Sequence, residues 1–287
     1  MGGVVVPAIE PFAPDREFAF SDRDFAVLAG LVKERTGIAL GESKRELVYS
    51  RLSRRLRALR LDSFKAYRRL LAEPEGESEI ALMINAITTN LTSFFREPHH
   101  FDFLAAKILK PLAEAPPPDR RLRIWSAGCS SGEEPYSIAM TVRQAMPRLE
   151  GWNARILATD IDSDMVARGH AGLYADDRIE AIPESQRKRF VERNAHGKPA
   201  MAPELKTLIT FKRLNLLEDW PMSGPFDVIF CRNVVIYFDR ETQAELFDRF
   251  AEILKPGGWL FVGHSENLYR VTDRFGLIGR TTYQRVS

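Results

Sequence analysis

The sequence predicts an α/β protein in two parts, a helical domain followed by a doubly wound parallel sheet. From about residue 120 onward, short apolar runs alternate with segments of helical spacing, the order expected of β-α-β units. Before residue 87, the apolar residues recur at helical spacing. A stretch of small residues at 126–132 follows the first apolar run, where a parallel sheet binds its ligands.

The composition excludes several classes of protein. The chain has 287 residues, 45% of them hydrophobic, which suits one large or two modest domains. It lacks a run of about 18 apolar residues, so we expect no insertion into a membrane. Two cysteines, Cys129 and Cys231, are too few for a disulfide framework and fit a cytoplasmic protein. We expect both to pack as small residues and not to act as reactive thiols.

Shifts of pattern suggest the domain boundaries. The expected divisions are a flexible arm at 1–17, a helical domain at 18–86, a linker and ligand-lining segment at 87–119, and a sheet domain at 120–287 with an inserted subdomain at about 172–208. Ser21 and Asp24 are spaced as a helix-capping pair at the start of the helical domain. The insertion is expected because 164–208 is too long for a simple crossover.

The sheet strands follow from the apolar runs. We expect strands near 122–125, 154–162, 208–212, 226–231 and 259–263, and a closing hairpin in 275–286. A helix from Arg240 should stop at the Lys255–Gly258 turn signal.

The turn after the first strand has the features of a cofactor site. Gly128 and Gly132 permit close approach to backbone N–H groups at a helix N-terminus. The spacing G-x-G-x-x-G is absent, and so is the lysine of a phosphate-binding loop. Glu133 and Glu134 would repel a pyrophosphate but accept hydrogen bonds from hydroxyls or an amine. A phosphate-free cofactor such as S-adenosylmethionine fits, and an ordinary tight turn is the alternative.

The second predicted strand carries an acidic residue, Asp160, near its carboxyl end. A carboxylate at this place can accept hydrogen bonds from both hydroxyls of a ribose. The alternative is a capping role for the next helix, which Asp162 or Ser163 could fill equally well.

A basic helix dominates the first domain. Residues 42–70 hold ten lysines and arginines against three acids, whereas the whole chain has a net charge of +2. The helix could be a solvated face or a docking surface for an acidic partner. Few aromatic residues interrupt the basic run, which weakens the case for single-stranded nucleic acid.

The polar stretch 87–101 is a candidate lining for a ligand pocket. It contains neighbouring histidines, His99 and His100, which could suggest a metal. No Cys, His or acid at ligand spacing supports them, so we expect no metal site.

Four ordered motifs carry a resemblance to a known family. They are TTNLTSFFR at 88–96, WSAGCSSGEEPYS at 125–137, CRNVVIYF at 231–238 and GHSEN at 263–267. Together they resemble CheR, the family of chemotaxis receptor glutamate methyltransferases, over residues 18–286. The resemblance implies a class I methyltransferase-like sheet with a final antiparallel hairpin, an N-terminal all-helical domain and a small inserted β subdomain.

The resemblance also implies roles for particular residues. The cofactor, S-adenosyl-L-methionine with S-adenosyl-L-homocysteine as product, would be bound by Asn90, Thr92, Arg96, Gly128, Glu134, Asp160, Asn215, Leu216, Arg232 and Asn233. Arg96 and Tyr237 would be the catalytic residues, nearest the transferred methyl. The substrate-docking residues would be Lys44, Arg51, Arg54 and Arg57, gripping the acidic methylation helices of the receptor's cytoplasmic domain.

The implied chemistry asks little of the protein. A glutamate carboxylate has an ordinary pKa of about 4.3 and is already ionised at neutral pH, so it can attack a sulfonium methyl without a general base. Catalysis would come mainly from alignment, with Arg96 orienting the carboxylate. We expect a cytoplasmic monomer that binds no nucleic acid.

The sequence departs from the family pattern at one loop, and two other functions remain as alternatives. Family members that bind a receptor's C-terminal pentapeptide carry a Gly-x-Gly insertion in the subdomain loop, and 193–198 lacks it, so we expect a pentapeptide-independent enzyme. A methyltransferase of the same fold acting on nucleic acid or another acidic substrate is the first alternative. A degenerate cofactor-binding regulator is the second, disfavoured by intact Arg96, Asp160 and Tyr237.

Overall fold

The computed structural model describes residues 16–287 and divides into two compact units. One comprises Met1–Leu31 and Gly41–Ile87, of which residue 16 onward is described, and the other comprises Val32–Leu40 and Thr88–Ser287. The predicted arm at 1–17 lies outside the described residues except for Arg16 and Glu17. These two are not loose, since Arg16 pairs with Glu46 and Glu17 pairs with Arg57.

The described part of the first unit is helical. Its helices are α1 (Asp22–Thr36, which ends in the second unit), α2 (Arg45–Leu59), α3 (Phe64–Ala72) and α4 (Glu77–Ile87). The capping pair that starts α1 is confirmed: Asp24 accepts from the backbone N–H of Ser21 at 2.9 Å, and Ser21 Oγ accepts from that of Asp24 at 3.2 Å.

Helix α2 packs one face and exposes another. Val48, Leu52 and Leu56 are fully buried, as their spacing predicts. On the adjoining face Arg55 forms a bidentate pair with the buried Glu79, at 2.9 and 2.6 Å.

The second unit is built on a seven-stranded sheet. Its strands and those of the insertion are β1 (Arg121–Ala127), β2 (Asn153–Asp160), β3 (Val191–Arg193), β4 (Pro199–Met201), β5 (Ile209–Arg213), β6 (Phe226–Cys231), β7 (Leu254–Val262), β8 (Phe275–Gly279) and β9 (Thr282–Arg285). The sheet order is β5-β2-β1-β6-β7-β9-β8, and β3 pairs only with β4. Neighbours are parallel except for β9, which is antiparallel to β7 and β8. This confirms the doubly wound sheet, the closing hairpin and the small inserted β subdomain.

Helices cover both faces of the sheet. Those of the second unit are α5 (Pro98–Phe103), α6 (Lys110–Glu114), α7 (Glu133–Ala145), α8 (Ser163–Ala171), α9 (Asp176–Ile179), α10 (Glu184–Phe190), α11 (Pro203–Lys206) and α12 (Arg240–Ile253). A π-helical stretch, Leu104–Leu109, joins α5 to α6. Helix α7 is the central one, with ten of its 13 residues buried. Among the described helices, none is long and apolar enough to span a membrane.

Helix α12 ends just before the Lys255–Gly258 segment, as predicted, but that segment is not a turn. The helix stops at Ile253, and the Lys255–Gly258 segment, expected as a turn, lies within β7. Leu254 has an extended backbone and pairs with Phe226 of β6, and the register then shifts before Trp259 pairs with Val228. The Pro-Gly-Gly sequence therefore lies in an irregular, bulged part of the strand and not in a turn.

Candidate functional site

The turn between β1 and α7 needs both of its glycines. Gly128 and Gly132 have φ of +82° and +98°, a region that other residues rarely adopt. A Cβ on Gly132 would lie 2.8 Å from the Cα of Gly169, and one on Gly128 would lie 2.3 Å from Val234 Cγ2. These glycines are therefore required by close packing within the protein, and not only by the approach of a cofactor that the sequence suggests.

Asp160 ends β2 with its carboxylate buried. One oxygen accepts from the backbone N–H of Ser130 at 2.7 Å and the other from that of Asp162 at 2.9 Å. Burial raises the pKa of Asp160 to about 6. The residue that caps α8 is Asp162, which accepts from the N–H groups of Asp164 and Met165. Asp160 is thus left with lone pairs for a ligand.

Asp162 also holds the 88–97 segment against this edge. It accepts from Thr88 Oγ1 at 3.0 Å and from the side-chain amide of Asn90 at 2.7 Å. The carbonyl of Asn90 in turn accepts from Ser130 Oγ at 3.0 Å. Asn90 and Asp160 therefore share Ser130 as a hydrogen-bond partner, and the Asn90 amide is bound to Asp162.

Glu134 and Arg232 are each other's partner. The Arg232 guanidinium donates to Glu134 Oε2 at 2.6 Å, with only 3% and 9% of the two side chains exposed. Glu134 Oε1 accepts from Ser126 Oγ at 2.7 Å. Arg232 also donates to the carbonyl of Arg96 at 2.6 Å. The Arg232 side chain is committed to the protein, so a cofactor contact from this residue would come from its backbone.

Three potential metal ligands cluster beside Arg232. The ligand atoms of Glu97, His99 and His100 lie within 4.8 Å of one another. Sequence reasoning overlooked Glu97, which adopts φ of +57°. An Arg232 nitrogen lies 3.2 Å from His100 Nδ1 and 3.7 Å from a Glu97 oxygen, so a guanidinium supplies positive charge beside two of these three groups. Burial and this guanidinium lower the pKa of His100 to about 3, which keeps the ring neutral.

Asn215 and Leu216, the residues expected to contact adenine, both have contacts within the protein. The Asn215 amide donates to the carbonyl of Arg35 at 2.7 Å and to Glu218 at 3.1 Å. Leu216 is buried. Because the Asn215 amide nitrogen has partners in the protein, a contact to adenine would come from the backbone or from the Leu216 side chain.

The two residues expected nearest the methyl lie in irregular segments of the second unit. Arg96 is half-buried and lies between two left-handed residues, Phe95 and Glu97. Its guanidinium donates to the carbonyl of Leu91 at 2.9 Å, and no carboxylate among the described residues pairs with it. Tyr237 is half-buried at the end of a 3₁₀ turn that follows β6.

The remaining cofactor positions occupy the same segments. Thr92 is half-buried in the loop that carries Arg96. Asn233 follows β6 with φ of +59°.

The cysteines are structural. Cys129 and Cys231 are buried, and burial raises the pKa of both thiols well above its usual range. Both side chains pack in the interior, as expected, and the raised pKa disfavours the reactive thiolate.

The basic residues of the first unit divide into two groups. Lys44 and Arg54 are exposed, and neither pairs with a carboxylate among the described residues. Arg57 is exposed but paired with Glu17 at 2.6 Å. Arg51 is half-buried and donates to the carbonyl of Ile87 at 2.5 Å, so it caps the end of α4. Helical periodicity could not separate these roles, because Arg51 and Arg54 point to similar sides of α2.

The carboxyl edge of the sheet suits a phosphate-free, cationic cofactor. Asp160, Asp162 and Glu134 place carboxylates there, and the β1–α7 turn contains no lysine or arginine. These carboxylates can accept hydrogen bonds from hydroxyls or an amine and can attract a sulfonium, whereas they would repel a pyrophosphate.

Comparisons with known proteins agree with this chemistry. The family model of the CheR methyltransferase SAM binding domain matches residues 90–284, and that of the CheR methyltransferase all-alpha domain matches residues 23–88. Chemotaxis protein methyltransferase 2 of Pseudomonas aeruginosa is 44% identical over 277 residues, 95% of this chain and 96% of that protein. The chemotaxis protein methyltransferases of Salmonella typhimurium and Escherichia coli are 41% and 42% identical, over 93% and 92% of this chain and 92% and 91% of those proteins. The chain therefore belongs to the CheR methyltransferase family, and its sheet domain is an S-adenosyl-L-methionine-binding domain.

Proposed function

We propose that this enzyme transfers a methyl group from S-adenosyl-L-methionine to glutamate side chains of chemotaxis receptors, forming methyl esters. The observation that carries the proposal is Arg96. Its guanidinium has no carboxylate partner among the described residues, and its backbone is held by Arg232 at the acidic edge of the sheet. A cation so placed can pair with the carboxylate of a substrate.

The cofactor, when bound, supplies a methyl group made electrophilic by a positively charged sulfur. Asp160 would accept hydrogen bonds from its ribose hydroxyls, and Glu134 would use its remaining lone pairs on the amine. Arg96 would orient the substrate carboxylate, with Tyr237 nearby. The carboxylate needs no general base because it is ionised at neutral pH. Alignment of the reacting groups then accounts for most of the rate.

The chemical nature of the product tests this proposal. Purified enzyme, labelled S-adenosyl-L-methionine and receptor-containing membranes should yield labelled protein that releases methanol at alkaline pH. Label that is stable to alkali, or label transferred to nucleic acid instead of protein, would contradict the ester.

Cofactor affinity should depend on pH through Asp160. The pKa of this carboxyl in the free protein is about 6, so it takes up a proton as pH falls through that value. A protonated carboxyl loses its charge and part of its capacity to accept from the ribose hydroxyls. The Kd for S-adenosyl-L-methionine should be constant above about pH 7 and rise by up to about tenfold per pH unit below about 6.

Calorimetry over this pH range checks the dependence. Asp160→Asn should bind S-adenosyl-L-methionine weakly, because a carboxylate acceptor is lost. Its Kd should not change with pH in this range, because the group that titrates is gone. A wild-type Kd that stays constant through pH 6 would contradict this pH dependence, and wild-type affinity in Asp160→Asn would contradict the contact with the cofactor.

Substrate docking by α2 predicts a selective effect on receptor binding. Arg54→Glu should raise KM for the receptor several-fold, to about tenfold, with kcat and cofactor affinity little changed. Arg69→Glu makes the same charge change at an exposed site on α3 and is the matched control. Equal effects of the two substitutions would indicate a general charge effect and not docking by α2.

The inserted hairpin bears on the receptor pentapeptide. The loop between β3 and β4 closes tightly, with Asn194 donating to the carbonyl of Lys198 at 3.0 Å, and it lacks the Gly-x-Gly insertion. We infer that methylation is independent of the pentapeptide. Titration with the free peptide should give no signal, and a Kd in the nanomolar-to-micromolar range would contradict this.

We also infer the setting of the enzyme. It would act in the cytoplasm as a monomer on the helical cytoplasmic domain of its receptors, with 18–86 as docking domain and 120–287 as catalytic domain. Light scattering of the purified protein tests the oligomeric state, and a stable dimer would contradict this inference.

A further inference from the structure

The fourth sequence motif, 263–267, has no part in the mechanism above, yet it contains a buried carboxylate. Glu266 is only 4% exposed. One of its oxygens accepts from the backbone N–H groups of Asn233 at 2.8 Å and Gly263 at 2.5 Å. The other accepts from those of Val234 at 2.9 Å and Ile236 at 3.2 Å. Four backbone donors therefore converge on a single side chain.

Three of these donors belong to the segment that leads from β6 to Tyr237. This segment turns sharply, with Asn233 in a left-handed conformation and a 3₁₀ turn over Val235–Tyr237. Neither helix nor sheet satisfies its N–H groups at 233, 234 and 236. Without Glu266 these part-buried donors would lose their hydrogen-bond partner in the protein.

Packing on both sides restricts the same segment. A Cβ on Gly263 would lie 2.4 Å from Asn233 Nδ2 and 2.9 Å from its backbone nitrogen. On the other side, a Cβ on Gly128 would lie 2.3 Å from Val234 Cγ2. The segment is thus packed closely between the Glu266 turn and the β1–α7 turn.

We propose that Glu266 is a positioning residue for methyl transfer. By binding the N–H groups before Tyr237, it holds Asn233 and Tyr237 in the geometry that the reaction requires. Burial raises the pKa of Glu266, and its backbone hydrogen bonds oppose that shift. This role deepens the proposed function and rests on it, because Tyr237 is placed beside the reacting carboxylate there.

The decisive substitution is Glu266→Gln, which keeps the size of the side chain. An amide nitrogen in place of one oxygen turns an acceptor of two N–H groups into a donor that faces them. The segment must then move, and a displacement of about 1 Å at a reacting site can cost about 10²-fold in rate. Glu266→Asp keeps the charge but is one methylene shorter, so it should recover part of the lost kcat.

Asp227→Asn is the matched control. Asp227 is also a buried carboxylate, bound to Lys255 Nζ at 2.6 Å and the Arg123 N–H at 2.7 Å, but it lies at the opposite end of β6. It should lower Tm without lowering kcat per folded molecule. Glu266→Gln should lower kcat about 10²-fold with a much smaller change in the receptor KM.

The experiment measures kcat, both KM values and Tm for wild type and the three variants. Wild-type kcat in Glu266→Gln, or a loss that merely follows the loss of folded protein, would overturn the proposal. If Glu266→Gln does not fold, Gly263→Ala provides the test, since its new Cβ presses on Asn233 while the carboxylate remains. It should lower kcat at unchanged receptor KM, and unchanged kcat would again overturn the proposal. Activity of the wild type on the receptor tests the proposed function. The comparison of variants tests Glu266 independently of it, since any acceptor that the wild type methylates can serve as substrate.

Discussion

Replacing Arg96 with alanine is expected to lower kcat by about 10²-fold or more. In the proposed mechanism this guanidinium is the group that orients the attacking carboxylate, and nothing else among the described residues competes for its charge. The effect should fall on kcat more than on cofactor affinity, because the pairing is made with the substrate. Labelled methyl transfer to receptor-containing membranes measures it.

Two controls separate alignment from folding. Arg96 is half-buried, and among residues 16–287 its side chain donates only to the carbonyl of Leu91, so Arg96→Ala should leave Tm within a few degrees of wild type. Arg96→Lys keeps the charge but not the planar fork, and should retain intermediate activity. Wild-type kcat in Arg96→Ala would remove Arg96 from the mechanism.

Replacing Arg232 with methionine is expected to destabilise the fold by about 3–5 kcal/mol. The substitution leaves Glu134 buried without its cation and removes the hydrogen bond to the carbonyl of Arg96. For a domain of this size the change corresponds to a fall in Tm of roughly 6–20 °C, which calorimetry would detect.

A second substitution at Glu134 is the control for this effect. Arg232→Met combined with Glu134→Gln removes the unpaired charge, so the double variant should recover part of the lost stability. A single variant within about 1 kcal/mol of wild type would show that the pair does not stabilise the structure.

The fold could be predicted from local patterns because each strand and helix carries its own periodicity. The run at 226–231 coincides with β6, and Ser21 with Asp24 marks the start of α1. The start of β7 could not be predicted in this way. Pro256 and Gly257 indicate a turn locally, but pairing with β6 keeps the chain extended.

The sequence predicts which residues lie in the site better than it predicts which of them bind one another. The motifs contain Glu134, Arg232 and Asp160, but no local pattern indicates that the first two, 98 positions apart, form a buried pair. Glu97 and Glu266 were missed for the same reason, since their partners are backbone groups or side chains that only the fold brings near. Arg51 was assigned to docking, although its guanidinium caps α4.

Mapping the methylated residue distinguishes a glutamate methyl ester from every other product. Tandem mass spectrometry of receptor peptides, after reaction with enzyme and S-adenosyl-L-methionine, should show the mass of one methylene added to a glutamate side chain. At equal reaction times the modification should be strongly reduced with Arg96→Ala, and alkali should remove it. Methyl groups found on any other atom, or none at all in protein that binds the cofactor, would contradict the account.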